Sequence, residues 1–117
     1  MRLAAIVKPL SILMRLRRYG RIAVELSASI SGGSSRAQGV ILDISLTGCR
    51  AQSSLAVKKD DFVGVLIDVP GHENPIYVTQ AAIKWANAQE FGMEFLQMEL
   101  NDRQRLQEIV QKQAGNR

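Results

Sequence analysis

Cysteine and histidine are nearly absent from this chain, which restricts both its disulfide chemistry and its metal chemistry. The 117 residues include a single cysteine, Cys49, and a single histidine, His72. One cysteine cannot form an internal disulfide bond, and one Cys with one His cannot supply a zinc site of the usual type. The composition therefore predicts no bound metal, and it fits a reducing, cytoplasmic setting.

Long apolar runs are also missing. No stretch approaches the ~20 apolar residues that a membrane-spanning helix needs. The chain begins with an apolar segment, but Lys8 and Pro9 interrupt it, and arginines follow it without a small-residue cleavage site. We therefore interpret residues 1–14 as an N-terminal arm of the mature protein, and we expect a chain that does not span a membrane.

The signatures of common enzymes are absent as well. No serine lies in a G-x-S-x-G elbow, and there is no P-loop and no G-x-G-x-x-G after a strand. Paired carboxylates occur only at Asp60 and Asp61, in a segment with the composition of an exposed loop. Because nucleophile, base and orienting group all stay unassigned, we expect no enzymatic activity and no catalytic residue.

Charge of negative sign is scarce in the first third of the chain. Residues 1–36 contain seven Lys or Arg and one acidic residue, whereas residues 37–117 contain eight Lys or Arg and ten Asp or Glu. The net charge of +4 therefore originates near the N-terminus. Such a patch indicates an anionic partner, namely a phosphate, a nucleic acid or a lipid headgroup, although a solvated basic arm has the same composition.

Hydrophobic periodicity predicts a series of short strands followed by one helix. Residues 21–30 alternate in polarity as a half-buried strand does, and the Ser/Gly cluster at 31–35 predicts a turn. Further strands are predicted at 39–45, 49–54, 62–69, 76–85 and 91–98. An apolar stripe of Leu106, Ile109 and Val110 predicts a helix over about 101–113. Because no crossover helix separates the strands, the pattern favours an antiparallel barrel or sandwich.

The first candidate site is the basic run that precedes the first strand. Arg17 and Arg21 are spaced as R-x-x-x-R, and Arg18 lies between them. The planar guanidinium of arginine can donate two parallel hydrogen bonds to phosphate oxygens or to O6 and N7 of guanine. This spacing is compatible with a site for a compact anion that carries guanines, and equally with a solvated basic run.

The second candidate site is a D-x-S-x-x-G sequence at the end of the second strand. Strand alternation places Asp43 and Ser45 on one face, opposite Ile44. Asp43 can accept hydrogen bonds from the N1–H and 2-amino edge of a guanine, and Ser45 can donate to a phosphate or base. Gly48 is predicted to take a positive φ in the turn. An ordinary capped turn has the same residue types.

Taken together, the two sequences resemble the PilZ domain family, and residues 81–98 resemble its late hairpin. The resemblance covers roughly residues 15–113. It implies an all-β fold, a six-stranded antiparallel Greek-key or split β-barrel with a C-terminal α-helix, in a domain of residues 15–117. It also implies binding of cyclic di-GMP, as one molecule or a stacked pair. The ligand-binding residues that it implies are Arg17, Arg21, Asp43, Ser45 and Gly48, with Arg18 as a helper.

The resemblance implies a bacterial second-messenger receptor that has no cofactor other than its nucleotide ligand. On this hypothesis, cyclic di-GMP draws the Arg17–Arg21 segment onto the barrel and thereby signals to an unidentified downstream protein. The chain could be a monomer or a homodimer. One alternative is a protein-interaction module that binds no nucleotide. A weak nucleic-acid-binding barrel is a further alternative, but its basic cluster contains only one aromatic residue, Tyr19.

Overall fold

The computed structural model describes residues 20–115, with side chains described as far as residue 112. Six antiparallel strands close into a barrel in the order β1-β2-β3-β6-β5-β4, and one helix follows them. The elements are β1 (Ile22–Gly32), β2 (Ser35–Ile44), β3 (Gly48–Ser53), β4 (Phe62–Ile67), β5 (Ile76–Ala86), β6 (Glu90–Met98) and α1 (Leu100–Gly115). The predicted all-β barrel with a C-terminal helix is confirmed.

The β1–β2 hairpin follows the alternation of its sequence. Ile22, Ala28 and Ile30 are buried in the barrel, while the intervening residues are more exposed. The two strands are joined at Gly33, whose φ of 58° lies in the left-handed region that favours glycine. The return strand begins at Ser35, four residues earlier than the sequence predicts, because ladder pairing continues from Gly32 and Ser35 into the barrel.

Closure of the barrel depends on β4, which lies between β1 and β5. Its sequence is almost entirely apolar, but Val63, Val65 and Ile67 face the core whereas Phe62 and Leu66 are exposed. The strand therefore closes the barrel and has one apolar face in solvent. It also ends at Ile67, two residues before the predicted end.

Helix α1 packs on the barrel through the predicted stripe. Leu106 and Val110 are fully buried and Ile109 is partly buried against the core. Arg105 donates from its guanidinium to the backbone carbonyls of Asn74 and Pro75, which attaches the helix to the β4–β5 loop. Within residues 20–115, no helix is both long enough and apolar enough to cross a bilayer.

Candidate functional site

Asp43 is the centre of a charged cluster on the outer face of the barrel. It lies next to the end of β2, and only 17% of its side chain is exposed. Its Oδ1 accepts a hydrogen bond from Nη1 of Arg21 at 2.8 Å, and its Oδ2 accepts one from Nε of Arg50 at 2.9 Å. Both carboxylate oxygens are therefore engaged by arginines.

Arg21 joins the two candidate sites that the sequence predicts. It immediately precedes β1, where Ile22 pairs with Ile44 and Ala23 pairs with Asp43. This register brings the second arginine of R-x-x-x-R onto the first residue of D-x-S-x-x-G, 22 positions along the chain. Half of the Arg21 side chain is exposed (50%), so its guanidinium is accessible to a ligand.

Ser45 forms the turn between β2 and β3. Its Oγ accepts hydrogen bonds from the backbone N–H groups of Thr47 and Gly48, each at 3.2 Å. Its own backbone N–H donates to the Gly48 carbonyl at 2.8 Å. The hydroxyl hydrogen has only long contacts, 3.3 Å to that carbonyl and 3.4 Å to Oγ1 of Thr47. The side chain thus stabilises the turn while its O–H can still rotate toward a ligand.

The prediction of a positive φ at Gly48 is wrong. In the described chain, the glycines with positive φ are Gly20, Gly33 and Gly71. Gly48 instead begins β3 opposite Glu94, and a Cβ there would overlap the carbonyl oxygen of Met93. Close approach of β6 is therefore what requires a glycine at this position.

Arg50 and Glu90 belong to the cluster although neither was a predicted site residue. Arg50 pairs with Asp43 across β2 and β3, and its Nη1 donates to Oε1 of Glu90 at 2.9 Å. The hydrogen bond to Asp43, and to a smaller extent the one to Glu90, raises the pKa of Arg50. Alternation in β3, with Cys49 buried, could have identified Arg50 as outward-facing. The contact with Glu90 spans 40 positions, and no local pattern indicates it.

An aromatic side chain lies in the same cross-strand row. Arg50 pairs with Gly92, and Gly92 pairs with Trp85, so Asp43, Arg50, Gly92 and Trp85 follow one another across four strands. The indole of Trp85 occupies the space where a Cβ of Gly92 would be. Trp85 is 41% exposed, so the interpretation of this residue as core is wrong.

Cys49 lies directly behind this surface and is chemically inert. It is fully buried, and burial raises the pKa of its thiol from 9.0 to about 12, an effect that the nearby charge of Arg21 only partly offsets. The thiol is therefore protonated at neutral pH and is a poor nucleophile. The interpretation of Cys49 as a small buried residue is confirmed.

The remaining residues named from the sequence lie away from this cluster or outside the described part of the chain. Arg17 and Arg18 lie outside the described residues, as does the N-terminal arm. His72 is exposed in the β4–β5 loop, and Asp61 accepts hydrogen bonds from the backbone and side chain of Lys58. Among residues 20–115, no group of three or more His, Cys, Asp or Glu side chains could hold a metal ion.

Comparison with known proteins identifies the fold and the family. The PilZ domain family matches residues 15–112. The structure of the Bacillus subtilis inhibitor of motility MotI/DgrA has a TM-score of 0.70 at 15% identity, over 83% of this chain and 50% of that one. This chain therefore spans half the length of that protein.

A second solved structure is similar over most of its own length. The PilZ domain of CeSA from a cellulose-synthesizing bacterium has a TM-score of 0.63 at 19% identity, over 77% of this chain and 93% of that domain. No curated protein matches the sequence. The family match covers most of the chain, and the barrel and helix agree with it. The chain therefore belongs to the PilZ domain family, a family of cyclic di-GMP-binding receptor and adaptor domains that are generally not enzymes.

Proposed function

We propose that this chain is a cyclic di-GMP receptor that binds its ligand on the outer face of the barrel, around Asp43. The observation that carries the proposal is the hydrogen bond from Arg21 to Asp43, because it unites the two sequences that were predicted to bind the nucleotide. We take residues 15–117 as the ligand-binding domain and residues 1–14 as its N-terminal arm. The proposal places the receptor in the bacterial cytoplasm.

Each proposed contact uses a different part of the ligand. The carboxylate of Asp43 accepts from the Watson–Crick edge of a guanine, and the Ser45 hydroxyl donates to a phosphate or base. Gly48 acts through the turn, because its backbone N–H donates to Oγ of Ser45 and its missing side chain lets β6 pack against it. The arginines at 17, 18 and 21 contact phosphates or the O6/N7 edge of guanine, as their planar forks allow.

Trp85 adds an apolar surface to the proposed site. Its partly exposed ring lies in the row that contains Asp43 and Arg50. Stacking of a nucleic-acid base on an aromatic ring contributes roughly 1–3 kcal/mol. We therefore include Trp85 as a residue against which one guanine can pack.

Ligand binding changes the conformation of the N-terminal segment in this proposal. The Arg21–Asp43 pair is partly exposed, and such pairs typically contribute only about 0–1 kcal/mol. A ligand with two phosphates and two guanines can therefore exchange this contact for its own. The arginine segment then closes over the nucleotide, and the altered surface is read by a downstream protein.

Titration calorimetry with cyclic di-GMP tests the proposal, with GMP and cyclic di-AMP as controls. We expect saturable binding of cyclic di-GMP alone, and the stoichiometry will distinguish one nucleotide from a stacked pair. The absence of heat and of a thermal shift, with folded protein in the cell, would contradict the proposal.

One observation favours a second candidate, a protein-interaction module that needs no nucleotide. Large apolar side chains are exposed on the outer faces of the last three strands, and Leu66 is directly opposite Tyr77 there. The members of this group are Phe62, Leu66, Tyr77 and Leu96. A partner pull-down that is insensitive both to cyclic di-GMP and to Arg21→Ala would favour this candidate.

A further inference from the structure

Asp43 has a second cationic partner that lies outside both of the predicted sequences. Arg50 reaches Asp43 from β3, the strand hydrogen-bonded to β2, and contacts Oδ2 through its Nε at 2.9 Å. Through Nη1, the same guanidinium contacts Glu90 on β6, again at 2.9 Å. Arg50 therefore bridges two carboxylates that belong to different strands.

The two arginines on Asp43 are held in very different ways. Arg21 precedes β1, is half exposed and pairs with Asp43 through one guanidinium nitrogen. Arg50 lies within β3, is less exposed and is held through two guanidinium nitrogens, Nε by Asp43 and Nη1 by Glu90. A ligand can thus displace Arg21 at small cost, whereas displacement of Arg50 breaks two charged hydrogen bonds.

Recognition of guanine depends on the orientation of the Asp43 carboxylate. The N1–H and the 2-amino group of guanine are adjacent donors, and together they match both oxygens of one carboxylate. Each carboxylate oxygen has two acceptor sites, so Oδ2 can accept from Arg50 and from the ligand at the same time. Arg50 can therefore stay in place while the guanine binds.

We propose that Arg50 is a positioning residue that orients Asp43 toward the guanine 2-amino group, and that Glu90 holds Arg50 in turn. This role rests on the proposed function. The specificity of the site for guanine then depends on a row of side chains on β2, β3 and β6. Arg21 is left to bind the phosphates of the ligand or the O6/N7 edge of a guanine.

The test compares cyclic di-GMP with cyclic di-IMP, which differs only by lacking the 2-amino groups. The full chain and Arg50→Met are titrated with both nucleotides. In the unsubstituted chain, we expect the dissociation constant for cyclic di-IMP to be about tenfold higher than that for cyclic di-GMP, because the guanine on Asp43 loses one hydrogen bond to a charged acceptor. We call the dissociation constant for cyclic di-IMP divided by that for cyclic di-GMP the discrimination ratio. In Arg50→Met, we expect the discrimination ratio to fall to about threefold or less, since Arg50 no longer orients Asp43.

Matched variants separate positioning from general damage. Arg36→Met removes an exposed arginine from the far end of β2 and should leave the ratio unchanged. Arg50→Lys keeps a cation and a donor beside Asp43, so its discrimination ratio should be higher than that of Arg50→Met. Glu90→Gln should lower the discrimination ratio of the unsubstituted chain, but by a smaller factor than Arg50→Met does.

The outcomes distinguish this role from the proposed function. If the unsubstituted chain binds cyclic di-GMP but Arg50→Met keeps the full ratio, or weakens both nucleotides equally, the positioning role is overturned. If Arg50→Lys restores nothing, the hydrogen-bonding role of Arg50 is overturned. If the unsubstituted chain binds neither nucleotide, the proposed function fails first and this role fails with it.

Discussion

Gly48 shows how one missing side chain fixes the geometry of the site. It starts β3 immediately after the turn that Ser45 caps, and the Met93 backbone of β6 fills the space that a Cβ would need. This contact keeps β3 and β6 close together beneath Arg50 and Glu90. The distance between the charged side chains on the surface therefore depends on tight backbone packing below it.

Substitution of Gly48 by alanine should destabilise the fold. The added Cβ overlaps backbone atoms, which cannot rotate away, and overpacking of this kind costs about 1–3 kcal/mol of the free energy of unfolding. Urea denaturation measures the change. Gly64→Ala is the control, because a Cβ there meets its nearest neighbour at 3.4 Å, an ordinary contact. Equal stability of the two variants would contradict this explanation.

Cys49 gives a pH-dependent prediction with a definite sign. Burial raises the pKa of its thiol from 9.0 to about 12, so the folded state favours the neutral form. This contribution to stability is fully present below pH 9.0 and is lost as the pH rises toward about 12. At pH 8, we expect the folded protein to resist a thiol-specific reagent and the urea-unfolded protein to react promptly. Rapid modification of the folded protein would show that the thiol is accessible.

At the scale of elements, the β5–β6 hairpin carries the aromatic surface of the site. The indole of Trp85 occupies the space left by the missing side chain of Gly92, its cross-strand neighbour, and 41% of the residue is exposed. Since Trp85 is the single tryptophan of the chain, its fluorescence reports this surface without interference. We expect saturating cyclic di-GMP to change the emission, and Tyr77→Ala to leave that change intact. Calorimetric binding without any change in emission would exclude Trp85 from the site.

Helix α1 should contribute to stability through one face only. Leu106 is fully buried against the barrel, whereas Leu100, the first residue of the helix, is 71% exposed. Truncation of a buried leucine to alanine costs about 2–5 kcal/mol of the free energy of unfolding. We therefore expect Leu106→Ala to lower the unfolding midpoint clearly and Leu100→Ala to leave it almost unchanged. A similar loss in both variants would contradict the packing described for the helix.

At the scale of the whole molecule, the position of each strand along the chain was easier to predict from the sequence than the strands with which it pairs. Alternation is a local property, so β1, β5 and β6 could be located within a few residues. The predicted strand ends were wrong in two places. Backbone pairing in β2 starts at Ser35, before the apolar pattern begins, and β4 ends at Ile67, before the apolar pattern stops. The order in which the barrel closes depends on contacts between distant strands, which periodicity does not encode.

The same distinction between local and distant information explains what was missed in the site. Asp43, Ser45 and Gly48 belong to one recognisable stretch, and the spacing before β1 pointed to Arg21. Glu90 enters only through the pairing of β3 with β6, and the place of the Trp85 indole depends on the glycine opposite it. The function of Gly48 was misjudged because a glycine required by close packing has the same sequence signature as one required by a positive φ.

Calorimetric titration of Arg21→Ala with cyclic di-GMP tests the central claim most directly, with Arg36→Ala as the matched control. Both arginines are exposed, but Arg21 donates a hydrogen bond to Asp43, whereas Arg36 lies at the opposite end of β2. The account predicts that Arg21→Ala loses most binding while its unfolding midpoint stays close to that of the unsubstituted chain, and that Arg36→Ala binds normally. Unchanged binding by Arg21→Ala, or a loss of stability comparable to that of Leu106→Ala, would contradict it.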